Sequence, residues 1–342
     1  MTIDRVRPRR ISPLWASLGF LLATATAAPA AAQQADDDDS RPIFSFTFEN
    51  DIFAATDGHY TSGVQFSWLT GVQKDDSWLR DVASSMPIFD DSTKIRFQYS
   101  FGQEIYTPRD ISIAYPQTND QPWAGWLYAN LGFIGETDGK RLDQFQAGIG
   151  MVGPASLAGD TQKFVHSVIG AQKPEGWNNQ LKNEPTLQFM YQRSWRALEA
   201  KLGGMEVDAT PHLGAALGNA LIYGNGGGMV RFGQDMPDDY GPPRMDSGLG
   251  GSGYFKPKSD WGWYVFAGID GRAVGYNIFL DGNAFQNSAS VDKKTLVGDW
   301  QAGLVFVIGN VRLAYTQVFE TKQFYGQNYG DSYGSLTMAV RF

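Results

Sequence analysis

The feature that most constrains this chain is an alternation of apolar and polar residues with a period of two. Phe44, Phe46 and Phe48 alternate with Ser45, Thr47 and Glu49. Tyr60, Val64, Phe66 and Trp68 share one parity against Thr61, Gly63, Gln65 and Ser67, and Ile95, Phe97, Tyr99 and Phe101 alternate with Arg96, Gln98 and Ser100. Successive side chains on a strand point to opposite faces, so the pattern specifies strands with one apolar and one polar face. Similar segments recur near 123–136, 141–152, 185–197, 199–214, 216–232, 260–274, 294–309, 310–323 and 332–342, giving about twelve strands. Each is close to the roughly 9–11 residues that cross a bilayer when tilted.

A soluble sandwich also alternates, but three features favour an all-β transmembrane antiparallel barrel. Aromatic residues crowd the strand ends (Trp123, Trp126, Trp261, Trp263, Tyr264, Trp300), as an interfacial girdle would. The polar parity carries Arg96, Gln98, Gln144, Gln146, Gln188 and Gln301, which suits a wet lumen better than a dry core. The last strand (Leu336, Met338, Val340, Phe342) ends on an aromatic residue and resembles the signal read by the outer-membrane assembly machinery. No stretch after the N-terminal segment has about 18 consecutive apolar residues, so no membrane-spanning helix is expected there.

The N-terminus reads as a signal peptide over 1–32. Arg5, Arg7, Arg9 and Arg10 form a basic region, Leu14 to Ala23 an apolar one, and Ala28-Pro29-Ala30-Ala31-Ala32 a small-residue cleavage zone. An acidic leader over 33–40 follows, and the barrel is expected over 41–342. The formal charge of −8 speaks against a nucleic-acid partner. The absence of cysteine excludes disulfides, thiolate metal sites and a lipidated cysteine.

One segment breaks the strand pattern. Over 154–169, Leu157, Phe164, Val165, Val168 and Ile169 recur at helical spacing, with Pro154 and Ser156 as start signals and Gly170 as a stop. A helix between the fifth and sixth strands must lie in a loop. With both termini on the periplasmic side, that loop is extracellular. The same end then holds Glu49-Asn50-Asp51, His59-Tyr60-Thr61 and Gln103-Glu104-Ile105-Tyr106. The long Gly- and Pro-rich excursion over 234–259 leaves from the periplasmic end.

Those residues can do chemistry. His166 is a candidate general base near neutral pH, and Gln162, one helical turn earlier, shares its face. Taken alone, a helix histidine is more often a packing or surface residue. His59, beside Asp57 and Gly58, reads as part of a turn, and His212 as structural. Asn50, Asp51 and Thr61 offer the hard oxygens that calcium takes, although a bare Asn-Asp is more often a turn. The Gly-x-Ser-x-Gly match at Gly330-Asp331-Ser332-Tyr333-Gly334 runs into the last strand with no helix after it, so it is no nucleophile elbow, and a His-activated water is the simplest hydrolytic scheme.

Four stretches together resemble the lipid A 3′-O-deacylase (LpxR) family: Phe48-Glu49-Asn50-Asp51, His59-Tyr60-Thr61-Ser62-Gly63, Gly102 to Pro108, and Val152 to Trp177, which contains His166 and Lys173-Pro174-Glu175-Gly176-Trp177. The similarity covers strands one to six, and the later half matches in strand pattern alone. The resemblance implies a twelve-stranded outer-membrane barrel with its site between the wall and a loop helix. It implies a carboxylic ester hydrolase that removes the 3′ acyl group of lipid A in lipopolysaccharide, inserted as a monomer by the barrel assembly machinery. It implies that His166 activates water, that Asn50, Asp51 and Thr61 shape a Ca2+ and oxyanion region, and that Gln162 supports them. Gln172 stands where a well-known family member has Glu, with Glu175 nearby to compensate, and Arg109 is the one counterpart of the family's basic residues after strand three. The competing readings are a non-enzymatic pore or surface-binding barrel and an outer-membrane phospholipase.

Overall fold

The computed structural model describes residues 40–54, 58–74, 76–245 and 251–342. The expected signal peptide, and the acidic leader except Ser40, lie outside these residues. The strands are β1 (Ile43–Asn50), β2 (His59–Leu69), β3 (Lys94–Thr107), β4 (Ala124–Thr137), β5 (Arg141–Val152), β6 (Glu184–Trp195), β7 (Leu198–Leu202), β8 (Met205–Gly218), β9 (Leu221–Gln234), β10 (Trp261–Asn277), β11 (Leu296–Ile308), β12 (Val311–Glu320) and β13 (Ser332–Arg341). Three short helices interrupt them: α1 (Trp78–Ser84), α2 (Ala158–Ile169) and α3 (Ile278–Asp281).

Neighbouring strands pair antiparallel in sequence order, and β1 pairs with β13 from Ile43↔Arg341 to Asn50↔Gly334. The ring closes through β6 and β8, from Gln188↔Gly218 to Ser194↔His212. β7 continues along the same edge of β8, from Leu198↔Ala209 to Leu202↔Met205, so β6 and β7 are one strand broken at Arg196 and Ala197. The wall therefore has twelve strands. The expected strand over 199–214 is corrected here: Gly203 and Gly204, with φ of +58° and +90°, turn the chain between β7 and β8. Positive φ is open to glycine at little steric cost.

Alternation puts the apolar parity outside. Phe66, Phe101, Ile149 and Leu187 face outward and are exposed, whereas Thr47, Arg96, Gln98, Gln144 and Gln188 point inward and are buried. The aromatic girdle is smaller than expected. Trp261 and Trp300 are exposed, but Trp123, Trp126 and Tyr264 are packed away with at most 5% exposure, on inward positions or under rim loops. No helix among the described residues is long and apolar enough to cross a membrane, which leaves any crossing to the strands.

The excursion after β9 leaves from the end that holds both termini and turns back into the lumen. Inside, the Met245 N–H donates to Glu49 Oε1 (3.1 Å), Gln144 donates to the Gly251 carbonyl (3.3 Å) and Arg312 donates to the carbonyls of Ser252 (2.9 Å) and Tyr254 (3.1 Å). Asp239, fully buried, pairs with Arg231 of β9 and Arg312 of β12 and accepts from Tyr264. Arg244 pairs with Asp299 at 2.8 Å. Buried charges are tolerated only when paired in this way. A void of about 50 Å³ remains between the excursion and the surrounding wall. That is room for a few water molecules at most.

Candidate active site

The rim opposite the termini carries the sequence-derived candidates. Asn50 ends β1 on the parity of Phe44, Phe46 and Phe48, which places it on the outer face. Its Oδ1 accepts from the Ile52 N–H at 2.9 Å. Asp51 opens a 3-10 turn over Asp51–Ala54 and is 6% exposed. Its Oδ2 accepts from the Gly58 N–H at 3.0 Å. Gly58 has φ +137°, and a Cβ there would sit 2.7 Å from the Arg109 backbone, so only glycine fits.

Thr61 lies at a bulge, where the β2–β3 register slips between Tyr60 and Ser62. The slip turns Thr61 toward the outer face, where its hydroxyl hydrogen-bonds that of Thr107 at 2.8 Å. Bulges re-aim side chains in this manner.

The loop helix packs on the outside of the wall. A side chain at Gly125 of β4 would overlap Ala158 of α2, and Gln103 of β3 donates to the Ser156 carbonyl at 2.7 Å. Ile105, Ile111, Trp123, Ala158 and Trp177 form one buried cluster beneath it. The expected helix over 154–169 is split. Pro154–Ser156 form a 3-10 turn, Leu157 adopts φ +61°, and α2 proper starts at Ala158 and stops at Gly170 with φ +68°. Gln162 is 3% exposed, and its Oε1 accepts from Trp177 Nε1 at 2.7 Å. Its Nε2 is buried with no partner among the described residues.

His166 lies one turn after Gln162. Its Nδ1 is 2.5 Å from the Gln172 carbonyl. A carbonyl only accepts, so Nδ1 carries the proton and Nε2 keeps its lone pair. The backbone of Gln172, rather than its side chain, thus orients the imidazole. Glu175 pairs with Lys173 at the surface (3.0 Å).

Asn50, Thr61 with Thr107, and the Gln162–His166 face of α2 therefore stand on the outer face of one rim, with β3 between β2 and the helix. His166 and Gln162 make their hydrogen bonds to Gln172 and Trp177, within the helix and the loop after it. Among the described residues no group of three or more His, Asp or Glu is arranged to hold a metal. The oxygens of Asn50, Asp51 and Thr61 fit calcium in kind, as hard amide, carboxylate and hydroxyl donors, with one carboxylate among them.

One rim residue is far more than the turn position its neighbours suggest. His59 has φ +66° and is 6% exposed. Its Nε2 donates to Asp120 at 2.8 Å and its Nδ1 to Asp331 at 2.7 Å. Burial opposes the charged ring, but its hydrogen bonds to Asp120 and Asp331, reinforced by their charges, outweigh it and raise its pKa to about 9. The ring is an imidazolium that ties β2 to the loops before β4 and before β13. A polar recess of about 350 Å³ opens beside it, bordered by Arg109, Asp120 and Gln327. His212 lies in the lumen and is held by Asp270 at 2.7 Å, consistent with a structural role.

A closed twelve-stranded barrel with an apolar exterior and a polar, filled interior defines an outer-membrane β-barrel protein. The profile of the family described as "Outer membrane protein LpxR" matches residues 18–342, and the chain belongs to that family. Membership makes it an outer-membrane enzyme that modifies lipid A. Among solved structures, it is similar to LpxR from Salmonella typhimurium, with 20% identity and a TM-score of 0.72 over 88% of this chain and 100% of that one. It is more distantly similar to the beta domain of the Bordetella autotransporter BrkA, with 9% identity and a TM-score of 0.42 over 89% of this chain and 99% of that one. No curated protein matches the sequence.

Proposed function

We propose that this chain hydrolyses the ester-linked acyl group at the 3′ position of lipid A in the outer leaflet. The observation that carries the reading is the state of His166. Its Nδ1 is held by the Gln172 carbonyl, which leaves Nε2 to take a proton from water. The resulting hydroxide adds to the ester carbonyl, and expulsion of the sugar oxygen, which takes up the proton, gives a free fatty acid and a 3′ hydroxyl.

Calcium held by Asp51, Asn50 and Thr61 would supply a fixed positive charge for the developing oxyanion. Gln162 Nε2, buried and without a partner among the described residues, would offer a second donor for the same oxygen or for the attacking water. Asp51 brings the negative charge that a cation requires, and the Gly58 N–H fixes its orientation. The outer-face position of these groups suits a substrate that lies in the membrane. The same reading has the chain inserted as a monomer by the barrel assembly machinery.

The pore alternative loses ground because the chain's own excursion occupies the lumen. The experiment is mass spectrometry of lipid A from cells with and without the protein. Loss of the mass of one 3′ acyl chain is the expected result. Unchanged lipid A, with fatty acid released from phospholipid instead, would establish the phospholipase reading.

A further inference from the structure

The outward side of α2 contradicts the usual rule for a surface helix. Such helices bury apolar residues and show polar ones to water. Here Gln162 is 3% exposed, whereas Phe164 is 70% and Val168 is 68% exposed. At about 100° per residue, the side chains fall into three arcs. Ala158, Gln162 and His166 share the arc against the wall. Phe164, Val165 and Val168, all exposed, share a second arc, and the exposed Leu157 precedes the helix; Ile169, in the last turn, is exposed as well. Asp160, Lys163 and Ser167, also exposed, share the third.

Three arcs require three surroundings. The first is protein. The third is polar and suits water. The second is continuous with a surface whose surroundings are already fixed by the fold. β5 leads directly into this helix, and Ile149 of β5 pairs with Leu187 of β6 just below it. Both are on the outer, lipid-facing parity and are exposed by 67% and 51%.

We propose that α2 lies in the interface of the outer leaflet, with Leu157, Phe164, Val165 and Val168 seated among acyl chains and Asp160, Lys163 and Ser167 in the headgroup water. The partner of this face is the hydrocarbon of the membrane. Interfacial helices partition in this way between an apolar and a polar side. The His166 side of α2 then borders the acyl layer. Given the deacylase reading, on which this last step rests, an acyl chain reaches His166 without leaving the lipid.

The chain has no cysteine, so single cysteines can be introduced and spin-labelled without background. The full-length barrel is reconstituted in phosphatidylcholine vesicles carrying Phe164→Cys, Val168→Cys, Lys163→Cys or Ser167→Cys. Relaxation by oxygen, which concentrates in lipid, should dominate at 164 and 168. Relaxation by a water-soluble nickel chelate should dominate at 163 and 167. Equal chelate access at all four positions would overturn the proposal. A second measurement uses the Phe164→Glu, Val168→Glu double variant. Its turnover of vesicle-embedded lipid A should fall by about tenfold or more, with turnover of detergent-dispersed lipid A retained. Equal loss on both substrates would also count against the proposal. If the wild type deacylates nothing while the labels report lipid contact, the deacylase reading falls and the interfacial helix stands.

Discussion

The imidazole of His166 and the backbone carbonyl of Gln172 are joined by a hydrogen bond of 2.5 Å. The family position that carries a glutamate in a well-known member therefore supports the ring here through its main chain, which any residue provides. Gln172→Ala should leave turnover within about threefold of wild type, whereas His166→Gln should lower it by the roughly 10²- to 10⁴-fold that general-base catalysis contributes. Rates of 3′ acyl release, measured with thermal unfolding of the same variants, check both. A large loss in Gln172→Ala would mean that the side chain itself is needed.

Gln162 offers a sharper separation of packing from chemistry. Gln162→Glu keeps the acceptor for Trp177 Nε1 and removes the buried donor. If Nε2 serves the reaction, kcat falls by about 10²- to 10³-fold, as for loss of one oxyanion donor. The folded barrel should remain resistant to heat and detergent. Unchanged kcat would assign Gln162 to packing alone.

Calcium dependence is tested on Asp51. A chelator specific for Ca2+ should stop turnover, and re-addition should restore it. Asp51→Asn retains an acceptor for the Gly58 N–H but removes the charge. The calcium concentration for half-maximal rate should rise by about tenfold or more, since affinity follows ligand charge. A chelator that leaves the rate untouched removes the metal from the scheme.

The His59 clasp makes the rim sensitive to alkali. Its folded pKa, about 9, lies above the 6.5 of an ordinary histidine, as expected in the unfolded chain. A raised pKa contributes stability that is fully present below about 6.5 and is lost as the pH climbs through about 9. The shift corresponds to on the order of 3 kcal/mol. Protection factors in 108–123 and 321–331, corrected for the intrinsic base-catalysed rate, should therefore fall between pH 7 and 10 while those of the strands hold. In His59→Gln this pH dependence should disappear.

Much of the architecture was legible because the period of two is a direct consequence of strand geometry. The strand pattern needed no tertiary information, and neither did the helix around His166, with Gly170 as its stop. The Gly203-Gly204 turn was also written in the chain, but the apolar–polar alternation that continues on either side of it masked it. The aromatic girdle was overread: Trp126 and Tyr264 lie at strand ends, yet their parity points them inward, and parity rather than position decides what an aromatic ring meets. His59 was read as a turn residue because its partners, Asp120 and Asp331, are distant in sequence. The outer-face placement of Thr61 depends on a one-residue bulge that leaves no mark on local composition. The luminal course of the excursion was hidden for a similar reason. Arg312 was an inward-facing cation in need of a counter-ion, and nothing local named Asp239.

Asp239 is also a statement about assembly order. One carboxylate from the excursion neutralises arginines on β9 and on β12. A cylinder that sealed with this segment hanging outside would strand Arg312 in its bore and leave Arg231 to Asp208 alone. Loading of the segment and closure of the cylinder are thus energetically coupled, and the segment stays behind as internal scaffold for the wall that encloses it.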